Sequence, residues 1–323
     1  MSLVRVQVVK NPPRDRSILQ YISGRIGISL TALSYLHIGS GDRMILETEE
    51  TTIRETVNRI RDIREVIRNI KFKESSQFHL TSRGVTIPGS SVKGNVRARL
   101  ELTFRNVGGK VKSCFQKSRI LKAEPAIGEH GWRHYRIWGE VLREDRGPPC
   151  DYTTNKSVCL ICDLFGTTGL KGVLEFSDFI SSGNVSLETL KLPYGMELVA
   201  VKQNSRFEGF IDFYNLKPEE IGLVLIGLGL RDKITGNPVL MGRLKYRGNI
   251  DGREFGKIRY EVNSLELFKY SKPLKLYDIE IDGGQKISEG ELDKIIKLLT
   301  DNAFKSFEGL NIVDEVGRLG ELK

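Results

Sequence analysis

The feature that most constrains this chain is a series of short β-type segments separated by two helical patterns. Segments rich in β-branched and aromatic residues, which favour strands, lie at 26–38, 173–179, 196–201, 207–214 and 255–262. The first helical pattern has an apolar residue at every fourth position: Val92, Val96, Leu100 and Phe104. The second covers 218–231, where Pro218 and two glutamates predict the first turn of a buried helix.

This mixture favours an α+β fold with a ferredoxin-like core over a doubly wound parallel sheet. Ile53, Val57 and four further isoleucines recur at three- and four-residue steps over 51–70 and predict an amphipathic helix, inserted at 49–73. Ser288 and Glu291 predict a capping box that begins a helix at 289–304, within a C-terminal helical extension over 263–323. We therefore expect one domain over 1–323 with a further, loop-rich insertion at 108–163.

Length and hydropathy exclude a membrane-spanning helix. The chain has 323 residues, which fits about two domains or one domain with insertions. Its longest apolar run is Leu223–Leu230, whereas a membrane span needs about 20 such residues. The first residues contain no apolar stretch long enough for a secretory signal. We expect a soluble, cytoplasmic protein that does not bind a membrane.

Charge gives the first indication of a partner. Lysine and arginine number 50 against 41 acidic residues, so the net charge is +9 and the isoelectric point is near 9.3. An isoelectric point above about 9 is typical of domains that bind nucleic acid. Charge alone is equally compatible with a basic protein that binds none.

The four cysteines predict a metal site. Cys159 and Cys162 form a C-x-x-C pair and Cys150 precedes them by nine residues, a spacing that allows several thiolates to reach one zinc ion. Cys114 is the simplest fourth ligand, and His130 or His134 are alternatives. A disulfide or free thiols are the competing interpretation, but intracellular proteins rarely keep disulfides. No water-activating His/Glu set flanks the cysteines, so we expect structural zinc.

Two glycine-rich basic segments can bind an anion. In residues 87–94, IPGSSVKG, backbone amides, two serines and Lys93 lie at the start of a helix, although an ordinary helix capped by serine has the same pattern. In residues 240–256, basic side chains alternate with Tyr246 and Phe255, as in segments that follow phosphates and stack bases, although a solvated β-hairpin is similar. The basic side chains there include Arg243, Lys245, Arg247 and Arg253.

His37 and Asp42, in LHIGSGD, follow the first strand. A carboxylate beside an imidazole can serve acid–base chemistry. An Asp in a turn that accepts from its own backbone is the more common case, and glycines on both sides predict a turn at 39–42.

Taken together and in order, five motifs resemble one family. LHIGSGD, IPGSSVKGNVRARLE, CLICDLFGT, GVLEFSDF and FGKIRYEV occur between residues 26 and 262. This combination resembles the RAMP superfamily of CRISPR-associated proteins, and specifically the backbone subunit of type III effector complexes. The resemblance implies a ferredoxin-like core, like that of RNA-recognition motifs, with a β-hairpin thumb and, in some members, a small zinc-binding subdomain.

The resemblance also implies roles and partners. The expected partners are guide RNA, target RNA, other subunits of the effector complex, and copies or paralogues of this chain along the guide. The expected contacts to the guide backbone come from motif positions: His37, Ser90, Ser91, Lys93, Arg97, Arg243, Lys245 and Arg247.

Cleavage of target RNA or of precursor RNA by an endoribonuclease is the alternative activity. The resemblance implies an Asp before IPGSS in subunits that cut, but residues 72–91 contain none. Asp42 and Glu74 are weak substitutes, and a divalent metal would be a further cofactor if RNA is cut. The remaining alternative is a zinc-stabilised protein-interaction module without an RNA role.

Overall fold

The computed structural model describes residues 3–46, 58–59, 64, 73–116, 124–193, 196–288 and 290–322, and every structural statement below concerns these residues. The predicted strand at 207–214 is Arg206–Leu216, and the predicted helix at 218–231 is Pro218–Gly227. The predicted inserted helix at 51–70 lies outside the described residues, apart from Asn58, Arg59 and Arg64.

The helices are α1 (Gly89–Thr103), α2 (Trp132–Leu142), α3 (Leu160–Phe165), α4 (Pro218–Gly227), α5 (Leu292–Ser306) and α6 (Glu315–Glu321). The strands are β1 (Val4–Arg5), β2 (Gln7–Val8), β3 (Ile22–Ala32), β4 (Gly39–Leu46), β5 (Lys73–Phe78), β6 (Leu80–Thr81), β7 (Gly84–Ile87), β8 (Lys110–Val111), β9 (Glu144–Asp145), β10 (Gly166–Thr167), β11 (Leu170–Lys171), β12 (Leu174–Phe176), β13 (Phe179–Ser182), β14 (Leu187–Leu192), β15 (Met196–Val201), β16 (Arg206–Leu216), β17 (Val239–Leu240), β18 (Asn249–Ile250), β19 (Arg253–Glu254), β20 (Lys257–Leu267), β21 (Leu274–Leu276), β22 (Ile279–Ile281) and β23 (Lys286–Ser288).

The largest sheet is built around β3. Its strands follow the order β17-β20-β3-β16-β13-β7-β6, while β12 also pairs with β16 and β23 with β20. Leu30 of β3 is opposite Phe207 on one side and Tyr260 on the other, in antiparallel pairs. All three side chains are fully buried, so the face of the sheet that carries Leu30 of β3 lies in the core. The fold is therefore a mixed α+β structure, as predicted.

Helices α1, α4 and α5 bury their apolar faces in the same core. Val92, Val96 and Leu100 of α1 are completely buried, as the four-residue period predicted. Helix α1 packs against α4, and α4 against α5. Removing an aliphatic side chain of this size from water contributes roughly 1.5–3 kcal/mol, so these contacts fix the position of α1.

Three local predictions were wrong. Residues 39–42 do not form a turn after a strand, because β4 begins at Gly39 and includes Gly41, whose φ is +90°. The pairing of β4 with β5 changes register between Gly39 and Arg43, which accommodates this glycine. Ser288 lies in β23, so α5 starts at Leu292 after Glu291 without a side-chain cap. The C-terminal segment from 263 accordingly contains the end of β20 and further strands as well as two helices.

The cysteine-containing segment packs against both the N-terminus and α1. Strands β1 and β2 pair with β9 and β8 in short parallel ladders, and Asn11 pairs with Val158. Within the segment, the short helix α3 packs against α1. Among the described residues, no helix has both the length and the apolar character needed to cross a membrane.

Candidate functional site

The four cysteines converge on one point. Cys114 follows β8, Cys150 follows β9, Cys159 immediately precedes α3, and Cys162 lies in the first turn of that helix. Their sulfur atoms all lie within 4.8 Å of one another, and all four residues are buried. The Sγ atom of Cys114 is 3.5 Å from that of Cys162 and 3.7 Å from that of Cys159. Four sulfurs around a zinc ion, each at about 2.3 Å, are about 3.8 Å apart, so this geometry fits tetrahedral zinc.

Donors from the chain surround these sulfurs. The amide of Cys114 donates to Sγ of Cys159 at 3.4 Å, and the amide of Cys159 donates to Sγ of Cys150 at 3.3 Å. The four thiols are free, and 3.5 Å between sulfurs is far beyond the roughly 2.05 Å of a disulfide. Hydrogen bonding among the sulfurs lowers the pKa of Cys150 and raises the pKa of Cys114.

The two candidate histidine ligands lie elsewhere. His130 is exposed, and the ring of His134 packs against that of Tyr246 at an interplanar angle of 54°, with 4.7 Å between the centroids. Both line a cavity together with residues 242–247, and none of the four described cysteines lines it. The structure therefore brings Cys114, and neither histidine, to the other three cysteines.

Arg97 also belongs to the surroundings of the cysteines. Its guanidinium donates to Glu101 at 2.7 Å, to the carbonyl of Gly166 at 2.6 Å and to Gln116 at 2.9 Å. A fourth contact joins Nη2 to Sγ of Cys162 at 3.1 Å. Burial is the largest effect on the pKa of Arg97 and acts to lower it, but the hydrogen bond to Glu101 and the negative charges nearby together outweigh burial, and the pKa is raised. The cation is therefore permanent and already engaged inside the protein.

The two glycine-rich segments meet at a second site. A cavity of about 290 Å³ is lined from α1 by Ser91, Gly94 and Asn95, and from the other segment by Met241, Gly242, Arg243 and Lys245, with His37 between them. Gly242, Arg243 and Lys245 also line a neighbouring cavity of about 520 Å³. We call these two adjoining cavities the basic groove.

Cations dominate the basic groove. The larger cavity is also lined by Arg133 and Arg247, and Glu129 is the acidic residue among its described lining residues. Arg243 and Arg247 are exposed, and Nη1 of Arg243 donates to Ser76 at 2.7 Å. These guanidiniums can therefore turn toward an anion at little cost.

Two histidines of the basic groove are kept neutral. Nδ1 of His37 donates to the carbonyl of Val199 at 2.6 Å, and burial lowers the pKa of this imidazole. Burial, with a smaller effect of Lys245, lowers the pKa of His134 to about 4. Near neutral pH each ring is a hydrogen-bonding group and a flat apolar surface rather than a charge.

A buried network holds the walls of the groove together. Nδ2 of Asn95 donates to the carbonyl of Leu240 at 2.8 Å, and Arg99 donates to the same carbonyl at 3.2 Å. Glu315 accepts from Arg99 at 3.0 Å and from the amide of Leu240 at 2.7 Å. Helices α1 and α6 thus fix the start of the second glycine-rich segment.

The start of α1 differs from the anion site that the sequence predicted. Pro88 occupies the capping position and no side chain caps it, so the predicted serine cap does not form. The amide of Gly89 donates to the carboxylate of Asp178 at 3.0 Å, which places a negative charge there. Ser90 is exposed, whereas Nζ of Lys93 donates to the carbonyl of Leu174 at 2.9 Å.

The weak catalytic candidates lie on neighbouring strands. The backbone of Asp42 is in β4 and that of Glu74 is in β5, where Glu74 pairs with Ile45. Their side chains lie outside what the structure describes. Among the groove residues, the sequence interpretation missed Asn95 and Arg133; the GWRHYRIW stretch, where Arg133 lies between aromatic residues, was the available signal.

Comparison with known proteins identifies the family. A family model described as the RAMP superfamily matches residues 29–309. The chain therefore belongs to the RAMP superfamily of CRISPR-associated proteins, which confirms the prediction from the motifs. A search of curated proteins finds no match. Among solved structures, the chain is similar to the crystal structure of Thermofilum pendens Csc2, with a TM-score of 0.36 and 13% identity over 95% of this chain and 82% of that one.

Proposed function

We propose that this protein is an RNA-binding subunit of a CRISPR effector complex in the cytoplasm, and that the basic groove holds the sugar–phosphate backbone of the guide RNA. The main support for the proposal is that the two glycine-rich segments, residues 87–94 and 240–256, line the same cavity. Asn95 and Leu240 are 145 positions apart, yet their hydrogen bond joins α1 to the basic segment at the groove. Local sequence proximity does not account for this convergence.

The chemistry of the groove suits a polyanion. Phosphate oxygens accept from guanidinium and ammonium groups, which Arg133, Arg243, Lys245 and Arg247 supply. Tyr246 and His134 add ring surfaces on which a base can stack. Contacts of this kind position a strand without reading its sequence, so binding should be nearly indifferent to base identity.

The finer assignment is a backbone subunit of a type III complex that presents the guide to target RNA. It is supported by the order of the five motifs. It is also consistent with a ferredoxin-like core, since β3, α1, β13, β16, α4 and β20 follow one another along the chain while the sheet neighbours run β20, β3, β16, β13. That spatial order, fourth-first-third-second, is the order of a ferredoxin-like sheet.

The second part of the proposal is structural zinc at the cysteine cluster. Cys114, Cys150, Cys159 and Cys162 would hold the ion, which would crosslink the segment after β8 to α3. All-thiolate, buried coordination leaves no open position for a substrate, so the ion would stabilise the fold rather than take part in a reaction.

Charge removal in the groove tests RNA binding. The variant Arg243→Ala/Lys245→Ala should bind single-stranded RNA of any sequence more weakly, measured by fluorescence anisotropy across a salt series. Loss of two phosphate contacts should reduce the slope of log affinity against log salt by about 1.4, since each contact contributes about 0.7 for single strands.

The matched control is Lys275→Ala/Lys294→Ala. It removes the same charge from exposed ion pairs with Glu280 and Asp278, outside the residues that line the groove. This control should bind RNA as the parent does. Equal losses in both variants would show a general charge effect and overturn the groove, and unchanged binding in the groove variant would do the same.

A further inference from the structure

Arg97 is the one predicted RNA contact whose charged group faces away from solvent and toward the thiols. Only 14% of its side chain is exposed, and Nη2 lies 3.1 Å from Sγ of Cys162. The remaining hydrogen bonds of the guanidinium go to Glu101, to Gln116 and to the carbonyl of Gly166, the residue that immediately follows α3. A phosphate could reach this guanidinium only by displacing these partners.

Lys93 lies on the same helix as Arg97 but makes different contacts. It precedes Arg97 by one turn of α1, and its Nζ atom contacts the carbonyl of Leu174 rather than any sulfur. Burial, and then the positive charge of Arg97, lower the pKa of Lys93. The two side chains therefore have separate surroundings, although a sequence motif groups them together.

We propose that Arg97 is a positioning residue of the metal centre: it donates to the metal-bound thiolate of Cys162 and ties the centre to α1. This inference rests on the proposed zinc site and reassigns Arg97 from the RNA to the metal. Of the described contacts to the cysteine sulfurs from other groups, this one alone carries a full positive charge; the others are the amides of Cys114 and Cys159.

The positive charge of Arg97 would stabilise a buried zinc–thiolate centre. Four thiolates around Zn²⁺ carry a net charge of −2, which is costly to bury without compensation. A guanidinium that donates to one sulfur compensates part of that charge and lowers the electron density on the sulfur. Because the same guanidinium binds the carbonyl of Gly166, it also orients both ends of α3 relative to the metal.

The test compares Arg97→Ala, Arg97→Lys and Lys93→Ala in the full chain. Zinc affinity is measured by competition with a chromophoric chelator. Arg97→Ala should lose about 10–100-fold in zinc affinity, the usual effect of removing a group that supports a metal ligand. Arg97→Lys should recover part of the loss, and Lys93→Ala should bind zinc as the parent does.

Cobalt(II) provides a readout that a merely structural role would not change. In Arg97→Ala, loss of the donor leaves more electron density on the Cys162 thiolate, so the sulfur-to-cobalt charge-transfer band should move to lower energy. In Arg97→Lys, the band should move back toward its position in the parent. Thermal unfolding of the zinc-loaded variants establishes that both are folded.

The outcomes separate this inference from the proposed zinc site. If the parent takes up neither zinc nor cobalt, the zinc site and the role of Arg97 are both wrong. If the parent binds zinc and Arg97→Ala binds it equally well with an unshifted band, only the role of Arg97 is wrong. If Arg97→Ala does not fold, the affinity and band of Arg97→Lys decide, because an unchanged band there would also overturn the role.

Discussion

The cysteine cluster and the basic groove lie on different sides of one helix and differ in almost every physical respect. Helix α1 contributes Arg97 to the first and Ser91 and Asn95 to the second. The cluster is buried, and its sulfurs already accept hydrogen bonds from the chain. The groove is open to solvent, and Arg243 and Arg247 project from it. An enclosed site suits an ion that stays, whereas an open cationic site suits a ligand that must be bound along its length.

This difference has an energetic consequence. The binding free energy of an ion that is held only by the folded chain adds directly to folding stability. An exposed cation whose partner is a phosphate of the ligand contributes little to the folding stability of the protein by itself. Changes at the cluster should therefore alter the free energy of unfolding, and changes at the groove should alter RNA affinity.

The largest effect is expected from the cluster. Cys159→Ser removes a ligand whose side chain is fully buried, so the protein should lose zinc and several kcal/mol of stability, a fall in melting temperature on the order of 10 °C for a chain of this size. Metal analysis and calorimetry measure both quantities. Retention of stoichiometric zinc by the variant would contradict the ligand set.

The sequence predicted the cluster better than the groove for a physical reason. Cys150, Cys159 and Cys162 are close along the chain, and their residue type limits their chemistry. Cys114 was one of several candidates because only tertiary packing brings it to the others. The core, like the three neighbouring cysteines, could be predicted from local sequence, because the periods of α1 and β3 determine which face is buried.

The directions of individual side chains could not be predicted from the sequence pattern. A helical period does not show that Arg97 turns toward sulfur while Lys93, one turn before it, contacts Leu174. The capping prediction at Ser288 failed because pairing of β23 with β20 takes that residue into a strand. Local propensity was overridden by sheet formation in that case.

A second prediction concerns the buried network that shapes the groove. Glu315→Ala leaves the guanidinium of Arg99 buried without its carboxylate, which typically costs about 3–5 kcal/mol. The amide of Leu240 loses its acceptor as well, so RNA affinity should fall together with stability. Urea unfolding and RNA titration measure the two effects.

The exposed pair of Lys275 and Glu280 is the control for that prediction. Its side chains are 67% and 52% exposed, so Glu280→Ala should change stability by less than about 1 kcal/mol. If the buried and the exposed variants lose equal stability, the network does not support the groove as described.

A third prediction uses pH. The pKa of His134 is about 4 in the folded protein and near 6.5 when unfolded. Between these values the unfolded chain binds more protons than the native state, so stability falls as pH decreases from about 6.5 toward 4. One pKa unit corresponds to about 1.4 kcal/mol, so the contribution of His134 is at most about 3 kcal/mol.

His134→Phe keeps a ring against Tyr246 and removes the titration. Unfolding free energies at pH 7.5 and pH 4.5 should differ less in this variant than in the parent. His37, whose pKa burial also lowers, stays in both proteins and cancels in the comparison. An equal pH dependence of the two proteins would show that His134 is not held neutral by the groove.

The smallest expected change in stability comes from a glycine of α1 that lines the groove but is not required by packing. Substituting it separates the effect on folding from the effect on RNA binding. Gly89 is required by packing, because a Cβ there would lie 2.2 Å from the carbonyl oxygen of Phe176. Gly94 lines the groove, and a Cβ there would contact no described heavy atom within 4 Å. Gly94→Ala should therefore stabilise α1 by about 0.5–1 kcal/mol, since glycine is a poor helix former.

The same methyl group projects into space that an RNA backbone would use, so RNA affinity should decrease several-fold while stability rises. Gly320→Ala is the matched control, because Gly320 is an exposed glycine of α6 with open space around it and is not a groove residue. It should change RNA affinity little. If Gly94→Ala stabilises the protein and binds RNA as tightly as the parent, the strand does not pass close to α1, and the groove must bind it through the Arg243–Arg247 side alone.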